Sequence, residues 1–310
     1  MRCAVISRKL NLRDYYGAAL AQIADRIEAI DHPVTGAQDV EIALAWHPHA
    51  DAFTHYPNLK AVCTIGAGAD NVLACPSLPG HVHVVRVVDP AQAQMMAGFI
   101  LWHVIWHQRR FATFRAQQQD RIWRRLDQRH ARDMPVALLG YGQIGQRVAE
   151  SLLGLGFPVL AWSRTAKTTA DGVRNFHGAD GLKAMLGETE VLVNLLPLTP
   201  ETRGILNADL FSRMKQGGYL VHVGRGEHLM EGDLLAALEA GQLSGASLDV
   251  FATEPLPQDH VFWTHPQVVL TPHDACDVSA QALQQTLLRT AEAVAAGRPP
   301  PHAVDRLRGY

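Results

Sequence analysis

Cysteine is scarce in this chain and carries no pattern. Four cysteines, Cys3, Cys63, Cys75 and Cys276, are spread over 310 residues without a CxxC pair. Neither a zinc ribbon nor a disulfide framework is suggested, and a reducing, cytoplasmic setting fits. An excess of one charge is lacking too: 28 Lys and Arg stand against 30 Asp and Glu, a formal net charge of −2. Nucleic-acid binders usually carry a basic excess on one face, so no nucleic-acid partner is expected. Long apolar runs are also missing. The apolar stretch within residues 1–7 is short and has no small-residue cleavage site. The most apolar helix candidate, residues 95–106, is interrupted by His103, far below the ~18 continuous apolar residues of a membrane span, so no membrane partner is expected.

What the chain does have is alternation. At roughly 150 residues per domain, its length suggests two domains. Residues 4–6 read as a strand, and Leu20, Ile23, Ala24 and Ile27 fall at helical spacing on one face. Further strand runs at 42–45, 59–65 and 82–88 are each bounded by Pro, Gly or Asn. Helical signals dominate residues 91–125. A second series of strands then opens at 135–139 and continues at 159–163, 191–196, 219–223, 246–250 and 268–270, with a last helix at about 279–296. Strands separated by helices imply an α/β fold with parallel sheets covered on both faces.

Gly140-Tyr141-Gly142-Gln143-Ile144-Gly145 matches G-x-G-x-x-G, follows a predicted strand and opens a predicted helix, the context that a dinucleotide-binding loop needs. Gly140 permits the tight turn, Gly142 lets the backbone approach a pyrophosphate, and Gly145 lets helix and strand pack closely. The helix N-terminus presents unpaired N–H groups and a positive dipole end to the phosphates. NAD sites usually place Asp or Glu about 20 residues on, at the end of the next strand, to bond the ribose 2′-hydroxyl. This chain has Ser163, Arg164 and Thr165 there, with Lys167 close behind and no carboxylate before Asp171. A hydroxyl and a guanidinium suit a 2′-phosphate, so NADP is favoured over NAD, unless Arg164 is simply a solvated loop residue.

Three polar segments follow strands of the second series, where ligands bind in open parallel sheets: His222-Val223-Gly224-Arg225-Gly226, Asp249-Val250-Phe251-Ala252-Thr253-Glu254-Pro255, and Thr271-Pro272-His273-Asp274-Ala275. With Leu196-Pro197-Leu198-Thr199-Pro200-Glu201-Thr202, Gly66-Ala67-Gly68-Ala69-Asp70 and the ending Val304-Asp305-Arg306 with Gly309-Tyr310, the chain resembles the D-isomer-specific 2-hydroxyacid dehydrogenases over almost its whole length. Within them it is most similar to the glyoxylate/hydroxypyruvate reductase A branch.

The resemblance implies two Rossmann-like or flavodoxin-like domains with an active-site cleft between them. Residues 1–98 plus 285–310 would form a discontinuous substrate domain, and 99–284 the dinucleotide-binding domain. It also implies NADPH-dependent reduction of small 2-oxo acids, with Arg225, Glu254 and His273 as the catalytic residues. Each type suits the chemistry. A planar guanidinium at Arg225 can bind the substrate carboxylate and polarise its carbonyl. His273 can protonate the developing alkoxide, since imidazole titrates near working pH, and Glu254 beside it would favour the imidazolium.

Backbone N–H groups of Ala67 and Gly68 would cradle the carboxylate, Trp46 would line the substrate pocket, and Leu196, Pro197 and Asp249 would join the glycine loop in holding the cofactor. A homodimer across the cofactor domain would bury the apolar helix at 95–106, which is apolar nearly all round and should be covered on several sides. Alternatives are a D-lactate-type dehydrogenase using NAD and, from another class, a dinucleotide-dependent corepressor-like scaffold, against which the lack of long tails speaks. The histidine pairs His47 and His49, His81 and His83, and His103 and His107 have no accompanying acid or third ligand in sequence, so no metal is expected. His222 stands where the family usually has Asn, and Cys276 where a small residue is common.

Overall fold

The computed structural model describes residues 1–34, 37–306 and 308–309; Tyr310, one of the terminal residues of the resemblance, lies outside them. The chain divides into two compact units, Met1–Gln92 with Asp277–Tyr310, and Ala93–Cys276. The elements run β1 (Arg2–Ser7), α1 (Leu12–Ala21), β2 (Glu28–Asp31), β3 (Val40–Trp46), β4 (Ala61–Thr64), α2 (Asp70–Leu73), β5 (His83–Val85), α3 (Pro90–Gln108) and α4 (Phe111–Gln119). The second half continues β6 (Val136–Leu139), α5 (Gln143–Gly154), β7 (Val159–Ser163), β8 (Val173–His177), α6 (Gly178–Glu188), β9 (Val191–Asn194) and α7 (Ala208–Arg213). It closes with β10 (Gly218–His222), α8 (Glu231–Glu239), β11 (Leu243–Leu248), β12 (Val268–Leu270) and α9 (Ala280–Ala295).

The first unit is a parallel sheet of order β2-β1-β3-β4-β5. Alternation along β1 splits its side chains between two cores: Cys3 and Val5 pack with Leu12, Leu20, Leu283 and Leu287, whereas Ala4 and Ile6 pack with Phe53, Tyr56 and Val62. That two-sided burial is why the strands read as apolar runs. Helix α9 belongs to this unit through its buried face of Leu283, Leu287 and Val294, and Ser279 caps it by accepting from the Ala282 N–H at 3.2 Å. The buried carboxylate of Asp89 accepts from the Ala91 N–H and the Ser279 N–H, each at 2.8 Å, so one side chain caps the starts of both α3 and α9.

The helix suggested through Ile27 stops earlier. Residues 22–26 form turns, Ile23 and Ile27 stay buried, and Ala24 is exposed. The chain turns because it must join the sheet: the Glu28 N–H donates to the Met1 carbonyl at 2.9 Å and starts β2. Strands β2 and β8 escaped the sequence reading because they are edges with polar, half-exposed composition, without an apolar alternation to find.

In the second unit the parallel order is β12-β11-β10-β9-β6-β7-β8. Ala137 and Leu139 of β6 face one core with Leu192, Leu220 and Phe211, and Val136 and Leu138 face the other with Val148, Leu152 and Ile100. Helix α3 buries only Met96, Ala97, Ile100 and Val104 of its length in that second core. Burial on several sides does not hold within the chain: Met95 and Trp102 are about half exposed, because α3 packs on the unit through one face. Among the described residues no helix is long and apolar enough to cross a membrane.

After α4, residues 120–130 form neither helix nor strand, and Trp123 is fully exposed. This segment is tied down by Gln108 Nε2 on the Arg129 carbonyl (3.0 Å), Arg109 Nε on Gln128 (2.6 Å), and a two-pronged pair between Arg129 and Glu190. His107 contacts the same carboxylate at 3.3 Å and stacks on Tyr219. Burial alone pushes the Glu190 carboxyl up. The hydrogen bonds from His107 and Arg129, with their charges, outweigh burial and take it down to about 2 from 4.5. Because the folded carboxyl ionises lower than the unfolded one, its contribution is complete above about pH 4.5 and is lost as pH falls towards 2. Arg129→Ala is expected to cost about 2 kcal/mol, less than a fully buried pair because Arg129 is partly solvated. Denaturant unfolding checks both: the difference between wild type and variant should shrink steadily below pH 4.5.

Candidate active site

The second sheet ends its strands on one edge, and the loops there carry the chemistry. After β6, Gly140 adopts φ +107, and a side chain on it would press on the Leu195 backbone at 3.1 Å. A Cβ at Gly145 would run into the Gly140 carbonyl, so helix α5 can sit this close to β6 only with glycine there. Gly142, by contrast, is the N-cap of α5, offers no side chain to the helix N–H groups, and has nothing within 4 Å of where a Cβ would lie. The turn thus packs tightly on its inner side and stays open on the side from which a pyrophosphate would approach. Gln143 and Ile144 follow it as the first two residues of α5.

Strand β7 delivers Ser163, Arg164 and Lys167 beside that turn. Ser163 is buried and its hydroxyl donates to the Thr165 carbonyl at 2.9 Å, while Arg164 and Lys167 are exposed. Lys167 Nζ donates to the Tyr141 carbonyl at 3.0 Å, and the Ala170 N–H donates to the Tyr141 hydroxyl at 3.2 Å. The cationic segment is therefore folded back on the glycine loop itself. Tyr141 was not singled out in the sequence, where it occupies an unspecified position of the motif.

At the end of β9, Leu196 is buried and Pro197 half-buried, with the Thr202 hydroxyl donating to the Pro197 carbonyl at 2.7 Å. Beyond β10, Arg225 is half-buried and donates through Nη1 to the Gly224 carbonyl at 2.8 Å. Its neighbour Gly226 lies so close to the Phe251–Ala252 backbone that no Cβ fits. Glu254 and His273, 19 residues apart, are brought together: His273 Nδ1 lies 3.1 Å and 3.0 Å from the two carboxylate oxygens, and Glu254 also accepts from the Phe251 N–H at 3.1 Å. The carboxylate engages Nδ1, which leaves Nε2 as the nitrogen for proton exchange with a bound molecule. His273 has φ +57, a left-handed conformation unusual for a residue with a side chain.

Buried Asp249 holds that loop. Its carboxylate accepts from the Thr271 hydroxyl at 2.6 Å, the Asp274 N–H at 2.9 Å and the Ala275 N–H at 3.1 Å. Burial raises its carboxyl above the usual range, and the hydrogen bonds from Thr271, Asp274 and Ala275 with the charge of His273 only partly offset this. The sequence reading gave Asp249 to the cofactor; the hydrogen bonds it makes here are to the loop flanking His273. Its signal was an acid at a buried strand end. Among the described residues no cluster of three or more His, Cys, Asp or Glu could hold a metal ion. Trp46, at the end of β3, and Ala67 and Gly68, between β4 and α2, lie half-buried in the first unit.

A parallel sheet with a glycine loop at its first strand end, and a carboxylate–imidazole pair and an arginine at others, defines a dinucleotide-dependent oxidoreductase. The family described as D-isomer specific 2-hydroxyacid dehydrogenase, NAD binding domain, matches residues 101–275, and the chain belongs to the D-isomer specific 2-hydroxyacid dehydrogenases. It is 43% identical over 275 residues to a glyoxylate/hydroxypyruvate reductase A of Serratia proteamaculans, covering 87% of this chain and 88% of that one. The protein of the same name from Yersinia enterocolitica is 40% identical over 278 residues, 88% of each. Among solved structures, the NADPH-dependent glyoxylate/hydroxypyruvate reductase of Sinorhizobium meliloti, in complex with NADP and sulfate, superposes with TM-score 0.93 at 36% identity, covering 100% of this chain and 99% of that one. A D-isomer specific 2-hydroxyacid dehydrogenase of Xanthobacter autotrophicus, in complex with NADPH and MES, matches equally well at 35% identity and 99% of both chains.

Asp249→Asn keeps one acceptor oxygen but turns an NH2 group towards the Ala275 N–H or, flipped, towards the Asp274 N–H, so the variant should lose about 1–3 kcal/mol. Amide exchange at Asp274 and Ala275 should speed up with it. Unchanged protection at both amides would show that the carboxylate is not what holds the loop.

Proposed function

We propose that the chain reduces small 2-oxo acids, glyoxylate and hydroxypyruvate first, with NADPH as the reductant. The observation that carries this is the His273–Glu254 pair, with contacts of 3.0 and 3.1 Å, on the sheet edge that also bears Arg225 and the glycine loop. Support comes from relatives named glyoxylate/hydroxypyruvate reductase A and from neighbours solved with NADP or NADPH.

The open side of the glycine loop fits a dinucleotide, with Gly140, Gly142, Gln143, Ile144 and Gly145 around the pyrophosphate and Leu196 and Pro197 beyond. Ser163, Arg164 and Lys167 would take the 2′-phosphate. When bound, the reduced nicotinamide supplies hydride to the substrate carbonyl carbon. Arg225 binds the 2-oxo acid through its carboxylate and withdraws charge from the carbonyl oxygen. His273 donates a proton from Nε2 to that oxygen as charge develops on it, and Glu254 holds the ring by Nδ1 and stabilises its cationic form. The first unit is the substrate domain, with Trp46, Ala67 and Gly68 as its contacts, and the second is the dinucleotide domain. A homodimer across the second unit would cover Met95, Trp102 and Phe111, and the enzyme would work in the cytoplasm.

Oxidation of NADPH and of NADH, each with glyoxylate and hydroxypyruvate, tests the assignment. NADPH should be preferred, and Arg164→Ala should raise KM for NADPH while leaving NADH nearly unchanged; a wild-type preference for NADH would overturn the cofactor reading. His273→Asn should cut kcat/KM by about 10²–10⁴ at an unchanged melting temperature. Near-normal turnover in that variant would remove His273 from the mechanism.

A further inference from the structure

Beneath Arg225 lies a group of buried side chains that the proposed mechanism does not use. His222, the last residue of β10, and Asn194, the last of β9, are register partners on adjacent strands, and both are fully buried with His228. Asn194 Nδ2 lies 3.2 Å from His222 Nδ1 and 3.0 Å from His228 Nδ1. The Arg225 N–H donates to His228 Nδ1 at 3.1 Å, and His228 Nε2 lies 3.2 Å from the Pro197 carbonyl.

The two backbone groups settle the protonation of the His228 ring without ambiguity, because a backbone N–H can only donate and a carbonyl can only accept. Nδ1 must carry the lone pair, and Nε2 the proton. The Leu196 N–H donates to Asn194 Oδ1 at 3.3 Å, which orients the amide so that its NH2 faces both rings. His222 Nδ1 is then an acceptor as well, and its proton sits on Nε2, which makes no well-formed hydrogen bond. Burial, foremost, holds His222 neutral, down to about 3. A second proton on His228 would point Nδ1–H at two donors.

We propose that His228 is a positioning residue for the reaction: fixed as the neutral Nε2–H tautomer, its ring spans the Arg225 backbone and the Pro197 carbonyl. It thereby sets the guanidinium that receives the 2-oxo acid against the Pro197 loop that takes part in holding the cofactor. The role rests on the function proposed above for Arg225.

Two substitutions separate the two ends of the ring. In His228→Asn, Oδ1 falls where Nδ1 lies and keeps the acceptor for the Arg225 N–H, while the Pro197 contact is lost. In His228→Gln, Nε2 falls where the ring Nε2 lies and keeps the Pro197 contact, while the Arg225 N–H loses its partner. The Gln variant should raise KM for glyoxylate and lower kcat/KM by about tenfold, with the Asn variant within about threefold of wild type. For KM of NADPH the order should reverse. Losses that are equal in both variants, or that merely follow their melting temperatures, would overturn the proposal.

Ring 15N shifts of the wild-type protein add a readout independent of turnover and of variant folding. They should show an Nε2–H ring at residue 228 that does not titrate between about pH 5 and 9. An Nδ1–H or titrating ring overturns the assignment. Absence of 2-oxo acid turnover in the wild type, with the tautomer as assigned, would instead count against the function proposed for Arg225.

Discussion

The hydrogen bonds that the buried Asp249 carboxylate accepts from Thr271, Asp274 and Ala275 are the constraint on which the site depends. Burying an acid is costly, and the three hydrogen bonds, all from one short loop, offset part of that cost. Those donors flank His273 on both sides, and the loop between them holds His273 at positive φ. An imidazole on a freely mobile loop would meet Glu254 only some of the time; here its Nδ1 is within 3.1 Å of both carboxylate oxygens. Under the neighbouring strand ends, Asn194, His222 and His228 do the same for Arg225. The edge of the sheet is thus held from beneath by buried polar groups, and the residues proposed for chemistry stand above them.

Much of the fold was legible because its strands are buried on both faces. Residues of β3, β6 and β7 are apolar runs bounded by turn residues, and the glycine loop follows β6 with the spacing its geometry needs. What escaped was polar or at an edge. Nothing in Glu28–Asp31 or Val173–His177 distinguishes an exposed edge strand from a loop. The apolar surround of α3 suggested cover on several sides, yet a pattern of composition does not say what covers each face, and within the single chain Met95 and Trp102 are about half exposed.

Site residues divide in the same way. The segments of Arg225, Glu254 and His273 stood out because they are polar and follow strands, and the resemblance to the family supplied the three roles. Tyr141, Asn194 and His228 gave no such signal. Each is ordinary in its local sequence, and its contacts join segments far apart in the chain: Tyr141 to Ala170, Asn194 to His228, His228 to Pro197. Asp249 was assigned to the cofactor, and its hydrogen-bond partners could not be read from a linear order in which they follow by 22 to 26 residues.

The space around Gly224 has a bearing on how such a chain can change in descent. A Cβ there would come within 2.8 Å of Asn194 Nδ2 and 2.9 Å of His228 Nδ1. Three positions from two segments, the end of β9 and the stretch after β10, therefore share one small volume. A side chain at 224 would displace the Asn194 amide or the His228 ring, and so disturb the bridge between the Arg225 backbone and Pro197. The constraint falls on the positions together: what residue 224 can be depends on what stands at 194 and 228.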